Sequence, residues 1–211
     1  MFEFGRRALV LGAHTDDEFA CAGTIARLIE SGAEVHLATF SSAEESVPDG
    51  FDRDVLKREI RAAIAVLGIA EERFRLHGLP VRHFPEHRQE VLERLVALRA
   101  EIEPDLVLLP ALTDIHQDHG TVAREGLRAF KHATILGYEM PMNDLRFEAS
   151  CYVTLEARHL DLKLRHAAAY ASQGHRSYLQ PEAIRSLAAV RGLQIGADAA
   201  EAFQVVRMAI R

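Results

Sequence analysis

Short apolar runs alternate with amphipathic stretches along most of the chain. Apolar runs bounded by turn-forming residues are typical of buried strands, and apolar positions three and four apart are typical of helices packed on one face. The predicted strands cover residues 8–13, 34–40, 74–79, 106–110, 134–138 and 147–155. The predicted helices cover residues 19–30, 52–67, 86–101, 121–131, 160–172 and 181–190. The pattern does not decide the type of a last element at residues 202–210.

This order of strand and helix predicts an α/β fold. Alternating elements favour a Rossmann-like, mostly parallel sheet with helices on both faces. The continuous apolar run at residues 106–110 is typical of a parallel strand buried on both sides. No internal repeat or linker divides the sequence, so we expect one domain over residues 1–211.

Composition narrows the class of protein. The chain has 211 residues, 48% of them hydrophobic and 27% charged, which is ordinary for a folded soluble domain. The net charge of −6 and the lack of a basic block argue against nucleic acid as a partner. No apolar run is long enough for a transmembrane segment or a signal peptide, so we expect a cytoplasmic protein. Cys21 and Cys151 fit reduced core thiols, with a ligand role for Cys21 left open.

The first polar cluster follows the predicted strand at residues 8–13. It contains His14, Asp16, Asp17 and Glu18. Carboxylates packed this closely repel one another unless a cation or hydrogen-bond donors offset them. His14 and Asp17, three residues apart on a tight turn, can converge on one metal ion and leave Asp16 free to handle a proton. The alternative is a polar helix N-terminus stabilised by the helix dipole.

A second cluster repeats this arrangement after the strand at residues 106–110. It contains Asp114, His116, Asp118 and His119. If the two strands are parallel neighbours, both turns lie at the carboxyl edge of the sheet, where open α/β sheets bind ligands. Two such clusters at equivalent places favour a metal site over solvated helix ends.

Imidazole and carboxylate ligands with one open position are typical of catalytic zinc. We expect His14, Asp17 and His119 to be the ligands. Fe²⁺ or Co²⁺ are alternatives that the sequence does not exclude.

The remaining polar residues suit hydrolysis of an uncharged acyl group, most simply an amide. Asp16 can take the proton of the attacking water as general base. His116 can be charged and face the developing oxyanion. Asp118 or Asp114 can hold the imidazole of His116 in its working tautomer.

The two clusters resemble the motifs of the PIG-L/LmbE-like family of zinc-dependent N-deacetylases. Residues 13–18 are similar to the family's Ala-His-Pro-Asp-Asp-Glu motif, with Thr15 in place of proline, and residues 116–119 match its His-x-Asp-His motif. The resemblance implies removal of an acetyl group from an N-acetylglucosamine-type sugar. It implies the same roles as above for the metal ligands, the base and the transition-state stabiliser: His14, Asp17, His119, Asp16 and His116.

The resemblance extends over most of the chain. Residues 114–119, 136–139 and 170–173 are similar to a bacterial branch associated with surface-sugar synthesis. On this basis the expected substrate contacts are Arg58, Asp114 and Asn143, and the stretch at residues 175–176 is a candidate pocket rim. Met142 stands where an aromatic residue is expected in that branch, so the substrate can differ.

Three functions remain open from the sequence. The first is a zinc N-deacetylase whose partner is a small N-acetylated sugar or sugar conjugate. The second is a zinc amidase acting on a non-sugar acyl amine. The third is a non-catalytic, metal-dependent sugar-binding protein, against which the presence of both Asp16 and His116 argues. The sequence leaves a homo-oligomer open.

Overall fold

Seven strands form one sheet in the computed structural model, which describes residues 6–209. The strands are β1 Arg7–Gly12, β2 Glu34–Thr39, β3 Phe74–Leu76, β4 Leu106–Pro110, β5 Thr134–Tyr138, β6 Cys151–Thr154 and β7 Ala200–Arg207. Their order across the sheet is β3-β2-β1-β4-β5-β7-β6. The first five strands pair in parallel, and β7 runs antiparallel to both β5 and β6.

Helices cover both faces of the sheet. They are α1 Ala22–Glu30, α2 Val55–Leu67, α3 Arg88–Ile102, α4 Gln117–Ala129, α5 Ala157–Ala168 and α6 Pro181–Leu193. Successive side chains of a strand point to opposite faces. Ala8 and Val10 of β1 therefore pack in one core with residues of α1 and α2, while Leu9 and Leu11 pack in a second core with residues of α3 and α4. No helix among residues 6–209 is both long and apolar enough to cross a membrane.

The predicted α/β fold with a mostly parallel sheet is confirmed, and the differences lie near the antiparallel edge and at helix starts. The untyped stretch at residues 202–210 is β7 as far as Arg207, and residue 210 lies outside the described residues. The predicted helix at residues 19–30 begins instead with a 3-10 turn, Asp17–Cys21. Within this turn the polar side chains of Asp17 and Glu18 point inward, which a surface helix with one apolar face would not allow.

The strand order reverses at β1: β2 and β3 follow on one side of β1, and β4 and β5 follow on the other side. β1 and β4 are adjacent and parallel, so their carboxyl ends form a crevice of the kind that binds ligands in open α/β folds. Both polar clusters follow these two strand ends. β1 ends at Gly12, where a Cβ atom would lie 3.0 Å from the carbonyl oxygen of His14. The lack of a side chain thus lets the first cluster fold back over the strand end.

Candidate functional site

Three side-chain atoms from the two clusters converge at this crevice. His14 Nδ1 lies 3.2 Å from His119 Nε2, which lies 3.3 Å from Asp17 Oδ1. His14 Nδ1 and Asp17 Oδ1 are 3.7 Å apart. Ligands about 2.0–2.2 Å from a tetrahedral zinc ion lie roughly 3.3 Å from one another. The spacing and the chemistry of this donor set therefore fit a divalent metal ion.

Buried carboxylates fix the orientation of both imidazoles. Asp118 Oδ2 lies 3.0 Å from His14 Nε2, and Asp114 Oδ2 lies 2.6 Å from His119 Nδ1. Since the outer nitrogen of each ring is bound to a carboxylate, the inner nitrogens turn towards the same point, as in carboxylate–histidine–metal arrangements. The backbone N–H of His14 also donates to Asp17 Oδ2 at 2.8 Å, which orients the third donor.

The partner of His116 differs from the sequence-based expectation. Neither Asp118 nor Asp114 accepts a hydrogen bond from its ring, because their carboxylates are occupied by the other two histidines. His116 instead precedes α4 and caps it: the backbone N–H of Asp118 donates to His116 Nδ1 at 3.2 Å. Asp114 holds His116 only through the backbone, accepting its N–H at 2.7 Å. This hydrogen-bond pattern assigns the proton of a neutral imidazole to Nε2.

A charged His116 was expected, whereas its surroundings favour the neutral ring. Partial burial lowers the pKa of His116, and the nearby positive charges of His119 and His14 lower it further. The rings of His116 and His119 stack with centroids 4.7 Å apart. A neutral His116 can still donate a hydrogen bond from Nε2 into the cavity.

A second ligand set is compatible with the same geometry. One ring nitrogen from each of His14, His116 and His119 lies within 4.8 Å of the others, so three imidazoles could also hold a metal ion. The structure therefore brings all the predicted ligands together and adds His116 as a competitor of Asp17.

Asp16 lies beside this group of donors without being one of them, and it is held by a tyrosine. The hydroxyl of Tyr178 donates to Asp16 Oδ2 at 2.8 Å, and the Tyr178 ring stacks on Phe19 with centroids 5.2 Å apart. Burial and the charge of Asp17 raise the pKa of Asp16, while the Tyr178 hydrogen bond opposes the rise. A raised pKa makes a carboxylate a better proton acceptor near neutral pH. Tyr178 was not predicted from the sequence, because it lies 162 residues from Asp16 and belongs to no motif.

Proton binding at the site predicts how it takes up metal. Burial lowers the pKa of each ligand histidine, but the charge of Asp17 and the carboxylate hydrogen bonds outweigh it and raise the pKa to about 9 for His14 and about 10 for His119. A metal ion must displace these protons. We expect chelator-treated protein to release protons when it is loaded with metal at neutral pH, and its metal affinity to rise with pH. An indicator-dye titration in weak buffer measures this, and uptake without proton release would contradict it.

Buried hydrogen bonds also fix the turn that carries the first polar cluster. The Tyr170 hydroxyl lies within hydrogen-bonding distance of both the carbonyl oxygen of Thr15 and Glu18 Oε1, and Glu18 Oε1 lies 3.0 Å from His166 Nε2. These contacts hold the turn at Thr15, where the related family motif has proline. Cys21 is buried with its thiol on the carbonyl oxygen of Glu18, and burial raises its thiol pKa well above the usual value, so it is not one of the convergent donors.

A cavity of about 200 Å³ opens onto the donor atoms. Some of the expected substrate contacts line this cavity and others do not. Asn143 and Met142 line it, as does Arg176 of the candidate rim. Arg58 does not: it is exposed on α2 and pairs with carboxylates of its own segment, Asp52 and Asp54. Asp114 is also absent from the lining because it is buried behind His119.

Solved structures with the same fold include enzymes with different activities. N,N'-diacetylchitobiose deacetylase from Pyrococcus horikoshii matches with a TM-score of 0.81 and 18% identity over 97% of this chain and 85% of that chain. A zinc-inhibited form of a teicoplanin deacetylase matches with a TM-score of 0.76 and 17% identity over 96% and 98%. The 4-carboxy-2-hydroxymuconate hydratase from Pseudomonas putida matches with a TM-score of 0.77 and 18% identity over 98% and 98%.

The sequence itself matches a family model. The model is PIG-L, described as GlcNAc-PI de-N-acetylase, and the match covers residues 9–130. That range contains both polar clusters and more than half of the 211-residue chain. The chain therefore belongs to the PIG-L family.

Proposed function

We propose that the chain is a zinc-dependent hydrolase that removes the N-acetyl group from an N-acetylated sugar or sugar conjugate. The observation that carries the proposal is the convergence of His14, His119 and Asp17 beside the separately held carboxylate of Asp16. Membership of the PIG-L family supports amide hydrolysis, and the names of two structural neighbours support a sugar or glycopeptide as substrate.

The residues of this chain divide the chemistry of amide hydrolysis among them. Zinc, when bound, acts as a Lewis acid and lowers the pKa of water towards about 7. Asp16 takes the proton of the attacking water, and the Tyr178 hydroxyl keeps one carboxylate oxygen fixed so that the other is available. Asp114 and Asp118 hold the ligand imidazoles in one tautomer.

His116 stabilises the negative charge that develops on the substrate during the reaction. Its Nδ1 is engaged by the N-terminus of α4, so its Nε2–H is the group that faces the cavity as a donor. In this role it donates a hydrogen bond to the oxygen on which negative charge develops as the amide carbon becomes tetrahedral. The proton that Asp16 has accepted is then available for the leaving amine.

Acetate release from a substrate panel tests this function. The protein is treated with chelator and reloaded with one equivalent of zinc, iron(II) or cobalt(II). The panel contains N-acetylglucosamine, N,N'-diacetylchitobiose, N-acetylglucosaminides and non-sugar acetamides. We expect metal-dependent acetate and free amine in equal amounts from an acetamido sugar, with zinc supporting turnover.

The panel separates the alternatives because fold alone does not select a reaction. Faster turnover of non-sugar acetamides would favour the amidase. Water addition to an unsaturated hydroxy acid, followed by loss of ultraviolet absorbance, would favour a hydratase, as one neighbour is named. Sugar binding without acetate release, at full metal content, would contradict the proposed activity.

A further inference from the structure

A second cavity, of about 140 Å³, adjoins the cavity that opens onto the donor atoms, which we call the reaction cavity. The second cavity is lined by parts of α6, β7 and the 3-10 turn that follows Asp16. Most of its lining is apolar and includes Phe19, Ile184, Leu187 and several alanines. Because alanine side chains fill little space, this region is not close-packed as protein interiors usually are.

The charged side chains of the second cavity are paired with one another. Lys163 Nζ lies 2.5 Å from Glu201 Oε1 and donates to the carbonyl oxygen of Ala20 at 2.9 Å. Arg191 Nε donates to Glu139 Oε2 at 2.9 Å. An ionic ligand would therefore bury a charge that has no partner, which costs free energy, whereas a neutral apolar ligand would not. The chemistry of the lining thus selects a neutral ligand.

Three short segments form a partition between the two cavities. In the turn after β1, Asp16 lines the reaction cavity and Phe19 lines the second cavity. In the loop after β5, Asn143 lines the reaction cavity and Pro141 lines the second cavity. The third segment contributes Tyr178, which lines both. A molecule that fills the second cavity therefore contacts the segments that hold Asp16 and Asn143 in place.

The Phe19–Tyr178 ring pair connects the second cavity to the catalytic base. The two rings stack at 30° with centroids 5.2 Å apart, and the Tyr178 hydroxyl donates to Asp16 Oδ2 at 2.8 Å. Atoms that face a void have no packing partners on that side and lose the attraction those contacts would supply. A ligand in the second cavity supplies these contacts and restricts the ring that positions Asp16.

We infer that the second cavity binds a neutral apolar molecule about the size of one aromatic ring, separate from the acetamido substrate, and that this binding raises turnover by supporting the partition. An apolar cavity of roughly 150 Å³ holds a molecule such as benzene. The molecule is separate from the substrate because the hydrogen bond between Tyr178 and Asp16 closes the partition. The inference goes beyond the proposed function, since it assigns a second binding site.

Calorimetry with zinc-loaded protein and toluene tests the binding step. We expect a Kd on the order of 10⁻⁴ M, the value that burial of its carbon atoms predicts. N-methylpyridinium is the matched probe, because it has the shape of toluene, carries a fixed charge and cannot ligate zinc. It should bind at least 10-fold more weakly. Equal binding of the two probes, or no binding of toluene, would show that the inference is wrong.

Variants of α6 locate the bound probe. Ala183 is exposed at the edge of the second cavity, so Ala183→Leu should fill part of it and weaken toluene binding at least 10-fold. Ala189→Leu is the matched control, since Ala189 is exposed on the same helix and does not line the cavity. Leu187→Ala enlarges the cavity and should shift its preference from toluene towards n-butylbenzene. Unchanged toluene binding in Ala183→Leu together with an unchanged preference in Leu187→Ala would place the probe elsewhere and overturn the assignment.

Kinetics test the coupling between the cavities and the source of the ligand. Saturating toluene should raise kcat for methyl N-acetylglucosaminide about 5-fold, at the low end of coupling between two sites, and this gain should disappear in Ala183→Leu. An unchanged kcat would contradict the coupling. Competition between toluene and benzyl N-acetylglucosaminide, but not the methyl glycoside, would assign the cavity to the substrate's own apolar group and overturn the separate ligand. The binding measurements require no turnover, so their outcome does not depend on whether the protein is a deacetylase.

Discussion

Asparagine in place of Asp16 is expected to lower kcat by about 10²–10⁴-fold while the protein keeps its metal. The amide preserves the size of the side chain and can still accept the Tyr178 hydroxyl, but it cannot take a proton from water. Asp16 is not one of the three convergent donors, so metal content should not change. Steady-state kinetics measures the loss in kcat, and elemental analysis of the same preparation measures the metal content. Loss of zinc in Asp16→Asn would show that the two adjacent carboxylates have the opposite roles.

The pH profile distinguishes a lost base from a distorted site. A base works only when deprotonated, so kcat/KM should fall on the acidic side through the pKa of Asp16, and this limb should disappear in Asp16→Asn. Tyr178→Phe is the matched control because it removes only a hydroxyl. The Tyr178 hydrogen bond lowers the pKa of Asp16, so its loss should move the acidic limb to higher pH. An unchanged limb in both variants would assign it to another group.

The fold was predictable because its determinants are local. The apolar runs of β1 and β4 and the amphipathic helices between them follow from side-chain periodicity. The ends of these two strands could then be placed together, since parallel neighbours end at the same edge. The type of β7 was not predicted because its first four residues are all buried and its last four are all partly buried, so apolar and polar positions do not alternate along it. It lies between β5 and β6 and pairs antiparallel with both.

The candidate site was only partly predictable because some of its contacts depend on distance in space. His14 and Asp17 lie in the turn after β1, and His119 lies in the first turn of the helix that follows β4, so the parallel pairing of these two strands brings them to the same edge of the sheet. The partners of the imidazoles are different. The sequence placed Asp118 beside His116, yet α4 starts at Gln117, which leaves His116 as the cap and turns the Asp118 carboxylate to His14.

Two further residues show the limits of reading motifs. Tyr178 reaches Asp16 from a segment that follows α5, and nothing in the sequence near Tyr178 indicates this contact. Arg82 lines the cavity and has a left-handed backbone conformation that local sequence does not predict for arginine. Arg58, by contrast, was expected at the substrate from family resemblance, but its own segment offers Asp52 and Asp54 as closer partners.

Metal content is expected to distinguish the two possible ligand sets. If His14, Asp17 and His119 bind the ion, Asp17→Asn should lose metal affinity by more than the 10–100-fold that loss of an outer carboxylate partner costs. The amide oxygen of asparagine can still accept the His14 N–H, so the turn is preserved while the negative charge is removed. Added zinc should then restore part of the activity. Asp118→Asn provides the outer-partner reference, since its carboxylate contacts His14 without reaching the convergent atoms.

His116→Asn is the decisive counterpart of Asp17→Asn. Asparagine is a good helix N-cap, so it replaces the contact between His116 Nδ1 and the Asp118 N–H and avoids the roughly 1 kcal/mol that loss of a cap costs. It cannot supply a ligand imidazole or the Nε2–H donor. We expect this variant to keep its full metal content and to lose about 10²–10³-fold in kcat, the typical effect of removing one oxyanion donor. Competition with a chromophoric chelator measures the affinities. Full metal in Asp17→Asn together with metal loss in His116→Asn would assign the ion to the three histidines, and His116 would then be a ligand rather than the oxyanion donor.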